Sequence, residues 1–570
     1  CLLLVLLVAG GSAAPARAAQ SENAGASDTL VVSGTVTNPQ GKGVGEVVVH
    51  FLANGVPLEL AGGVTTEANG GYEAKLQLPA GTLPDTRLEV QVAHPSYRTS
   101  RRIPLEHVFL EKVDSDGTRH YIAHCSVSLK RSVSPALWIA AAVLIAVYLL
   151  IAFELMHRTL AAMVGASVLL FVSYSLGSLD PSYRILTFDD AMRAIDDNVI
   201  FLLMGMMILV GVLKRTGVFQ WMAYKSFQLT RGNIYGLVVL LMFVTAVISA
   251  LLDNVTTVLL IIPVTIEIAL ALKIDPVSLL LPQVFASNVG GTSTLIGDPP
   301  NVMIGSYAGL TFMDFVAHVA LVCLIGLAIV SLYFAFWFRK DYRSAKVEDV
   351  PAMTARLREQ YRITDSRLLA KAGLVLALTI LLFVLHGTLN MEPSIAAMAG
   401  ASLLLVVSGV HVVEMVEKEV EWPTLIFFMM LFIVVAGAEQ TGLIQIVANW
   451  VREAAQGSPV TAVLMVLWVS AVLSAIIDNI PFTATMLPVV AYLTNSIPGI
   501  HGAVLWWALC LGACLGGNAT LIGASANVVT AGLAEKAGHP VSFTRYLRVA
   551  AVPTLLTVVL STCWLLAADF

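Results

Sequence analysis

Two stretches of about 38 residues, 234–272 and 460–497, are as apolar as membrane spans, yet each carries an aspartate–asparagine pair at its centre. The first reads "SALLDNVTTVLLIIP" around Asp253-Asn254, the second "SAIIDNIPFTATMLP" around Asp478-Asn479. A carboxylate at membrane depth costs roughly 2.5–3.5 kcal/mol on insertion scales. Backbone that leaves a helix there must be satisfied inside the protein. A stretch of this length can enter the bilayer, turn at its polar tip and leave again. A chain that does this twice cannot be a plain bundle of straight spans.

The two stretches belong to an internal repeat. Shifting the chain by 225 residues superposes Asp253-Asn254 on Asp478-Asn479, Pro263 on Pro488, and Thr216-Gly217 on Thr441-Gly442. A shift of 226 superposes Gly290-Gly291 on Gly516-Gly517, the Thr294–Gly297 run on Thr520–Gly523, and Asn301-Val302 on Asn527-Val528. Chance likeness between apolar helices would match Leu and Val, not polar residues and glycines in order. Around these motifs run candidate spans at 135–153, 159–178, 198–213, 275–306, 311–337, 370–387, 394–410, 422–438, 502–532 and 543–567. Of the 570 residues, 57% are apolar and only 12% charged, whereas soluble domains are about a quarter charged. The expected fold is a polytopic α-helical membrane protein with two repeats, 135–337 and 370–567, joined by a basic linker at 338–369.

Charge sets the orientation. The linker carries Arg339, Lys340, Arg343, Lys346, Arg356, Arg358, Arg362 and Arg367, which makes it cytoplasmic. Lys214, Arg215, Lys225, Arg231 and Lys273 flank the first hairpin, which then enters from the cytoplasm, while the acidic loop 179–197 suits the outside. Counting onward, the second hairpin enters from outside, so the repeats are inverted. That architecture is common in secondary transporters, with the site near the midplane between the halves.

Residues 28–130 differ in character. Segments such as "TLVVSGTVTN" and "TRLEVQVAHP" alternate with period two and are separated by turn-formers, the pattern of a small β-sandwich. Its phrase "SGTVTNPQGKGVGEVVV" resembles the carboxypeptidase-regulatory-like and transthyretin-like sandwiches, a scaffold that implies no enzyme. Residues 1–19 read as a signal peptide, with Ala16-Arg17-Ala18 as a cleavage site, which places the sandwich outside the cytoplasm of a cell-membrane protein. Six cysteines form no CxxC or Cys/His cluster, and Cys510 and Cys514, one turn apart, read as packing residues. With no nucleophile–base pair or metal cluster, no enzyme and no cofactor is expected. The net charge of −5 gives no reason to expect nucleic acid.

The polar motifs carry the candidate chemistry. Asp253 and Asp478 can cap helices, but a neutral cap would avoid the charge penalty, so an ion or proton role is expected for at least one. Gly290-Gly291 and Gly516-Gly517 are expected to unwind a helix and free carbonyls for a cation; close helix packing is the alternative. Thr292, Ser293 and Thr294 in one half, and Asn518 and Thr520 in the other, add oxygens of the kind hard cations prefer. Asn288, Asn301 and Asn527 belong to the same motifs. A sodium ion is expected at Asp253, Asn254, Gly290 and Thr294. The halves differ: "DNVTT" adds the hydroxyls of Thr256 and Thr257 where "DNIPF" has Pro481 and Phe482, and "GDPPN" has Asp298 where "GASAN" has Ala524 and Ser525. The principal site is therefore expected in the first half. Asp298 reads equally well as a ligand or as a helix cap. Lys214 and Glu439, equivalent by the repeat, read as snorkelling residues.

Phrases including "FELMHRTLAAMVG", "FLLMGMMILVGVLKRTGVF", "NVGGTSTLIGDPPNVMIG" and "GGNATLIGASANVVTAGLAEKAGHPVSF" resemble the ion transporter superfamily of arsenite permeases, NhaD-type antiporters and divalent-anion/sodium symporters. They are most similar to the branch of the melanosomal P protein and its bacterial relatives. The resemblance covers nearly all of 150–565. It implies a re-entrant hairpin and a broken helix in each repeat, site residues at both hairpin tips and both Gly-Gly loops, and often a homodimer. The dicarboxylate branch carries Ser-Asn-Thr at its tips, where this chain has Asp-Asn-Val and Asp-Asn-Ile. The extra negative charge opposes a dianion unless protons or sodium neutralise it and favours sodium/proton antiport. Coupled movement of an anion such as citrate, or a channel on the same fold, is the alternative. A receptor would not need matched broken helices.

Overall fold

A computed structural model describes residues 27–568, apart from 38–42, 46, 59–63, 68, 80–86, 95–96, 98, 115–118, 130–133, 346–349 and 501. The segment read as a signal peptide lies outside the described residues. The chain divides into two compact units, 1–132 and 133–570.

The first unit is all β. Ser27–Thr37 pairs antiparallel with Gly71–Pro79 and parallel with Arg119–His124, which in turn pairs with Val108–Val113. A second sheet is built on Val48–Ala53 and Leu88–Ala93, paired antiparallel. Alternation fixes the register: Leu30, Val32, Val49, Phe51, Leu76, Val90 and Val92 from both sheets bury in one cluster, as period-two strands require. The Tyr72 hydroxyl donates to the Cys125 carbonyl at 2.8 Å.

At the end of Leu88–Ala93, burial holds the His94 imidazole at about 4, below its ordinary 6.5. The unfolded chain therefore binds this proton first as pH falls. The stability His94 contributes is complete above pH 6.5 and is lost on the way down to pH 4, by about 2 kcal/mol at pH 5. Hydrogen exchange of this strand in the full-length protein, corrected for intrinsic rates, should accelerate between pH 7.5 and 5. His94→Gln should remove the effect.

The second unit is helical. Nine of its described helices are long and apolar enough to cross a membrane. The repeat is visible element by element. Asp197–Arg215 corresponds to Trp422–Gln440, and the hairpin Ile234–Leu251/Asn254–Ala271 to Pro459–Ser474/Asn479–Ser496. The broken segment Val277–Thr292/Pro299–Ala308 corresponds to Val504–Gly516/Ser525–Lys536. Each half ends in a long helix, Phe543–Ala568 in the second and Phe312–Trp337 in the first. The halves interlock, because Arg158–Leu179 packs on Trp422–Gln440 and Pro393–Ser408 on Asp197–Arg215.

Among the helices outside the expected spans are Val218–Thr230 and Leu443–Ala454. Each follows a glycine with positive φ, Gly217 at 74° and Gly442 at 85°. Polar residues interrupt both sequences, so neither reads as an apolar run. Lys214 does not simply snorkel either. Its ammonium pairs with Glu419 at 3.1 Å.

Both glycine pairs pack against backbone, and in the first half the helix does not unwind at them. The helix stays regular through Thr292, with Gly290 and Gly291 in its last turn. A Cβ on Gly290 would lie 2.2 Å from the Ala246 carbonyl oxygen, and one on Gly516 would lie 2.5 Å from that of Ala471. Gly291 and Gly517 similarly admit the carbonyls of Gly297 and Gly523 at 2.6 and 2.5 Å. Gly290 and Gly516 let the broken segment lie against the hairpin's first arm, backbone to backbone, and Gly291 and Gly517 let its own break fold back on it. In the first half the break falls later, at 293–298, whereas in the second the α-helix ends at Gly516 and a 3-10 turn over Gly517–Ala519 leads into the break at 520–524.

Candidate functional site

Each break is clamped by an asparagine. Asn301 is the third residue of the helix that Pro299 and Pro300 restart, so its side chain reaches back over the gap. Its amide nitrogen donates to the carbonyls of Gly291, Thr292 and Thr294 at 3.3, 3.0 and 2.8 Å. Its amide oxygen accepts from the thiols of Cys510 and Cys514 at 3.1 and 3.4 Å. Asn527 does the same in the second half, donating to Gly517 and Thr520 at 2.9 and 2.8 Å. Threonines fasten the break to the hairpin: Thr294 Oγ1 donates to the Ala250 carbonyl, and Thr520 Oγ1 to that of Ala475 at 2.5 Å. Thr292 Oγ1 turns back on the Asn288 carbonyl at 2.7 Å.

These bonds place the hairpin tip beside the break. Ser287 Oγ donates to Ser249 Oγ at 3.1 Å and to the Asn254 carbonyl at 3.2 Å. Asn254 Nδ2 donates to Asn288 Oδ1 at 3.2 Å. Asn288 Nδ2 then crosses to the other half, reaching Asn518 Oδ1 at 2.8 Å and Asn527 Oδ1 at 3.0 Å. Asn479 Nδ2 crosses the opposite way to the Asp298 carboxylate at 3.3 and 3.4 Å. Both tips thus dock on the first broken segment.

Between the halves lies a cavity of about 40 Å³, room for about three water molecules. It is lined by Asp253, Asn254, Ile296, Asp298 and Val302 from the first repeat and by Glu421, Thr424, Phe428, Asn479, Ile480 and Ser525 from the second. Leu202, Leu203, Met206, Met207 and Val210 form an apolar wall, and Arg158 is the one basic lining residue among the described residues. Three carboxylates therefore face a small, mostly apolar space. A fourth, Asp478, connects to it by accepting from Ser525 Oγ at 2.7 Å.

All four acids stand at helix N-caps, where the helix dipole favours negative charge. They differ in use. Asp253 caps its helix, accepting from the Thr256 amide at 2.9 Å, and Asp478 accepts from the Ile480 amide at 3.0 Å. Asp298 and Glu421 do not cap their helices. The cap reading of Asp298 is thereby set aside: its carboxylate, 1% exposed, points to Asn479 and the cavity.

The expected sodium ligands do not converge. Asp253 and Asn254 line the cavity, but Gly290 and Thr294 do not. The Gly290 carbonyl accepts from Ser293 Oγ at 2.5 Å, and Thr294 is spent on Ala250. Unwound carbonyls usually bind cations, but here asparagine clamps fill them. Thr257 is fully buried, its hydroxyl with no hydrogen-bond partner among the described residues, and Thr256 bonds Asp253 through both its backbone amide and its side chain. Arg158, Glu421 and Thr424 were missed. Arg158 falls between two apolar runs and reads as a loop charge. Glu421 precedes a span and reads as a boundary. The signal available for Glu421 was the repeat, which sets it opposite another acid, Asp196.

Nine membrane-length helices, doubled hairpins and broken segments, and a charged cavity between interlocked halves define a secondary transporter. The chain belongs to the citrate transporter family, whose profile matches residues 148–512. It is 42% identical over 429 residues to an uncharacterized transporter of Mycobacterium tuberculosis, covering 75% of this chain and 97% of that protein. The P protein of Homo sapiens is 35% identical over 515 residues, covering 77% of this chain and 61% of the P protein. Among solved structures, the Alcanivorax borkumensis YdaH transporter shares the fold, with a TM-score of 0.50 and 17% identity over 72% of this chain and 98% of that one. The resemblance read from the motifs therefore holds, and the family is one of transporters, not enzymes. The match begins beyond the β unit.

Proposed function

We propose that this protein exchanges sodium for protons across the cell membrane, with Asp253 and Asp298 as the carboxylates that alternate between protonated and cation-bound forms. The observation that carries this reading is the cavity itself. Three acids and one guanidinium share a space that fits a small ion. Both tip asparagines turn their NH2 groups toward the first broken segment, which leaves their amide oxygens as further hard donors. Asp478 supports the cavity from behind Ser525. The repeats are inverted and the hairpins re-entrant: each tip stops beside a break, and the first broken segment continues for ten residues beyond it, about 15 Å of helix. The basic linker lies in the cytoplasm and the β-sandwich outside it, and the protein works as a homodimer.

A second reading, uptake of an organic anion neutralised by the coupling ions, draws on the family's description and on Arg158. Proteoliposomes with imposed sodium and proton gradients separate the two. Sodium-driven proton movement in the wild type should fall at least about tenfold in Asp253→Asn. Asp478→Asn should show a smaller loss. Citrate uptake stimulated by sodium, with no proton exchange in its absence, would instead establish the anion reading. Unimpaired exchange in both variants would remove the hairpin tips from the mechanism.

A further inference from the structure

Arg158 sits where helix stability argues against it. It is the first residue of Arg158–Leu179, and the positive end of a helix dipole disfavours a cation. Its guanidinium meets hydroxyls rather than carboxylates: Nη1 donates to Ser525 Oγ at 2.9 Å and Nη2 to Thr424 Oγ1 at 3.1 Å. Each hydroxyl passes the interaction on. Ser525 Oγ donates to Asp478 Oδ2 at 2.7 Å, and Thr424 Oγ1 to Glu421 Oε2 at 3.1 Å. The Phe427 ring lies 5.5 Å beneath the guanidinium carbon, a favourable cation–π distance. The repeat does not duplicate this arrangement. Asp196, the counterpart of Glu421, caps its own helix by accepting from the Val199 amide at 3.1 Å. Asn198, the counterpart of Pro423, receives the Ser394 amide at 3.0 Å.

We infer that Arg158 is a specificity-determining residue, a tethered cation that claims two of the four acids, Asp478 and Glu421, through Ser525 and Thr424. Its charge also reaches Asp253 through space, but among the described residues it hydrogen-bonds neither Asp253 nor Asp298, which leaves those two as the carboxylates open to a travelling cation. This assignment rests on the cation-coupled reading of the cavity. Two hydroxyl relays spread one positive charge over two acids without closing a salt bridge, so the guanidinium stays in place while the ion comes and goes. Removing it adds one uncompensated negative charge to the cavity. Attraction scales with the product of charges, so the loss favours doubly charged over singly charged cations.

The test reads binding without transport. Purified full-length protein is titrated with sodium, magnesium or calcium chloride against choline chloride at constant ionic strength, and thermal stabilisation is followed. Arg158→Gln should bind calcium roughly tenfold more tightly than the wild type and lose its preference for sodium. Arg158→Lys keeps the charge and should stay within about threefold of the wild type. Thr424→Val, which frees Glu421 but keeps the guanidinium, should fall between them. If Arg158→Gln does not fold, the lysine and valine variants carry the comparison. Selectivity unchanged in every variant overturns the assignment, as does Arg158→Lys behaving like Arg158→Gln, because shape rather than charge would then be at work. A wild type that binds sodium but moves no protons sinks the exchange reading and leaves Arg158 assigned. A wild type that binds no sodium overturns the assignment itself.

Discussion

Asp298→Asn should insert and fold like the wild type and lose cation-coupled transport by roughly a hundredfold, equivalent to about 2.7 kcal/mol. The substitution is isosteric and removes only charge and proton-binding capacity. Asn is as good an N-cap as Asp, so a capping residue would tolerate the change. Asp298 is not capping. It is 1% exposed, lines the cavity, and receives Asn479 from the opposite repeat. Its counterpart in the second half is Ala524, so no repeated partner takes over its work. Size-exclusion profiles and proteoliposome flux should be measured together with those of Asp253→Asn. A folded Asp298→Asn protein that exchanges sodium for protons at the wild-type rate would remove this residue from the site.

Much of this arrangement was legible because the chain says it twice. One shift aligned Asp253 with Asp478 and the next aligned Asn301 with Asn527. The asparagine pair does make matching bonds, to Gly291 and Thr294 in one half and to Gly517 and Thr520 in the other. What the repeat could not supply was the role within each motif. Gly-Gly followed by Thr and Asn fits an opened cation loop and a glycine packing joint equally well, because both need residues without a Cβ near another backbone. Only the approach of Ala246 to Gly290 separates them. Arg158 stayed hidden for a different reason: it matters through what differs between the halves, and symmetry passes over a residue that breaks it. The β unit was legible from alternation alone, since Leu30, Val32, Phe51 and Val90 fall on one face whatever the loops do.

The clamp leads to the second large effect. Asn301→Ala should lower thermal stability sharply, and Asn301→Asp should lower it further. The asparagine's two N–H groups serve three carbonyls at 2.8–3.3 Å in a fully buried position. Leaving a buried carbonyl unpaired costs about 1–3 kcal/mol, so alanine forfeits about 2–6 kcal/mol, enough to threaten a marginally stable fold. Aspartate is the sharper probe. A carboxylate has no N–H to offer and sets negative charge against those carbonyl oxygens, so it should be worse than alanine although it matches asparagine in shape. If Asn301 were instead a ligand to the transported cation, aspartate would preserve the fold and tighten cation binding. Asn527→Asp should repeat the pattern in the second half, where the amide meets Gly517 and Thr520. Melting curves of the three variants, with and without sodium, distinguish a clamp from a ligand, because only a ligand makes the order of alanine and aspartate at Asn301 depend on the ion.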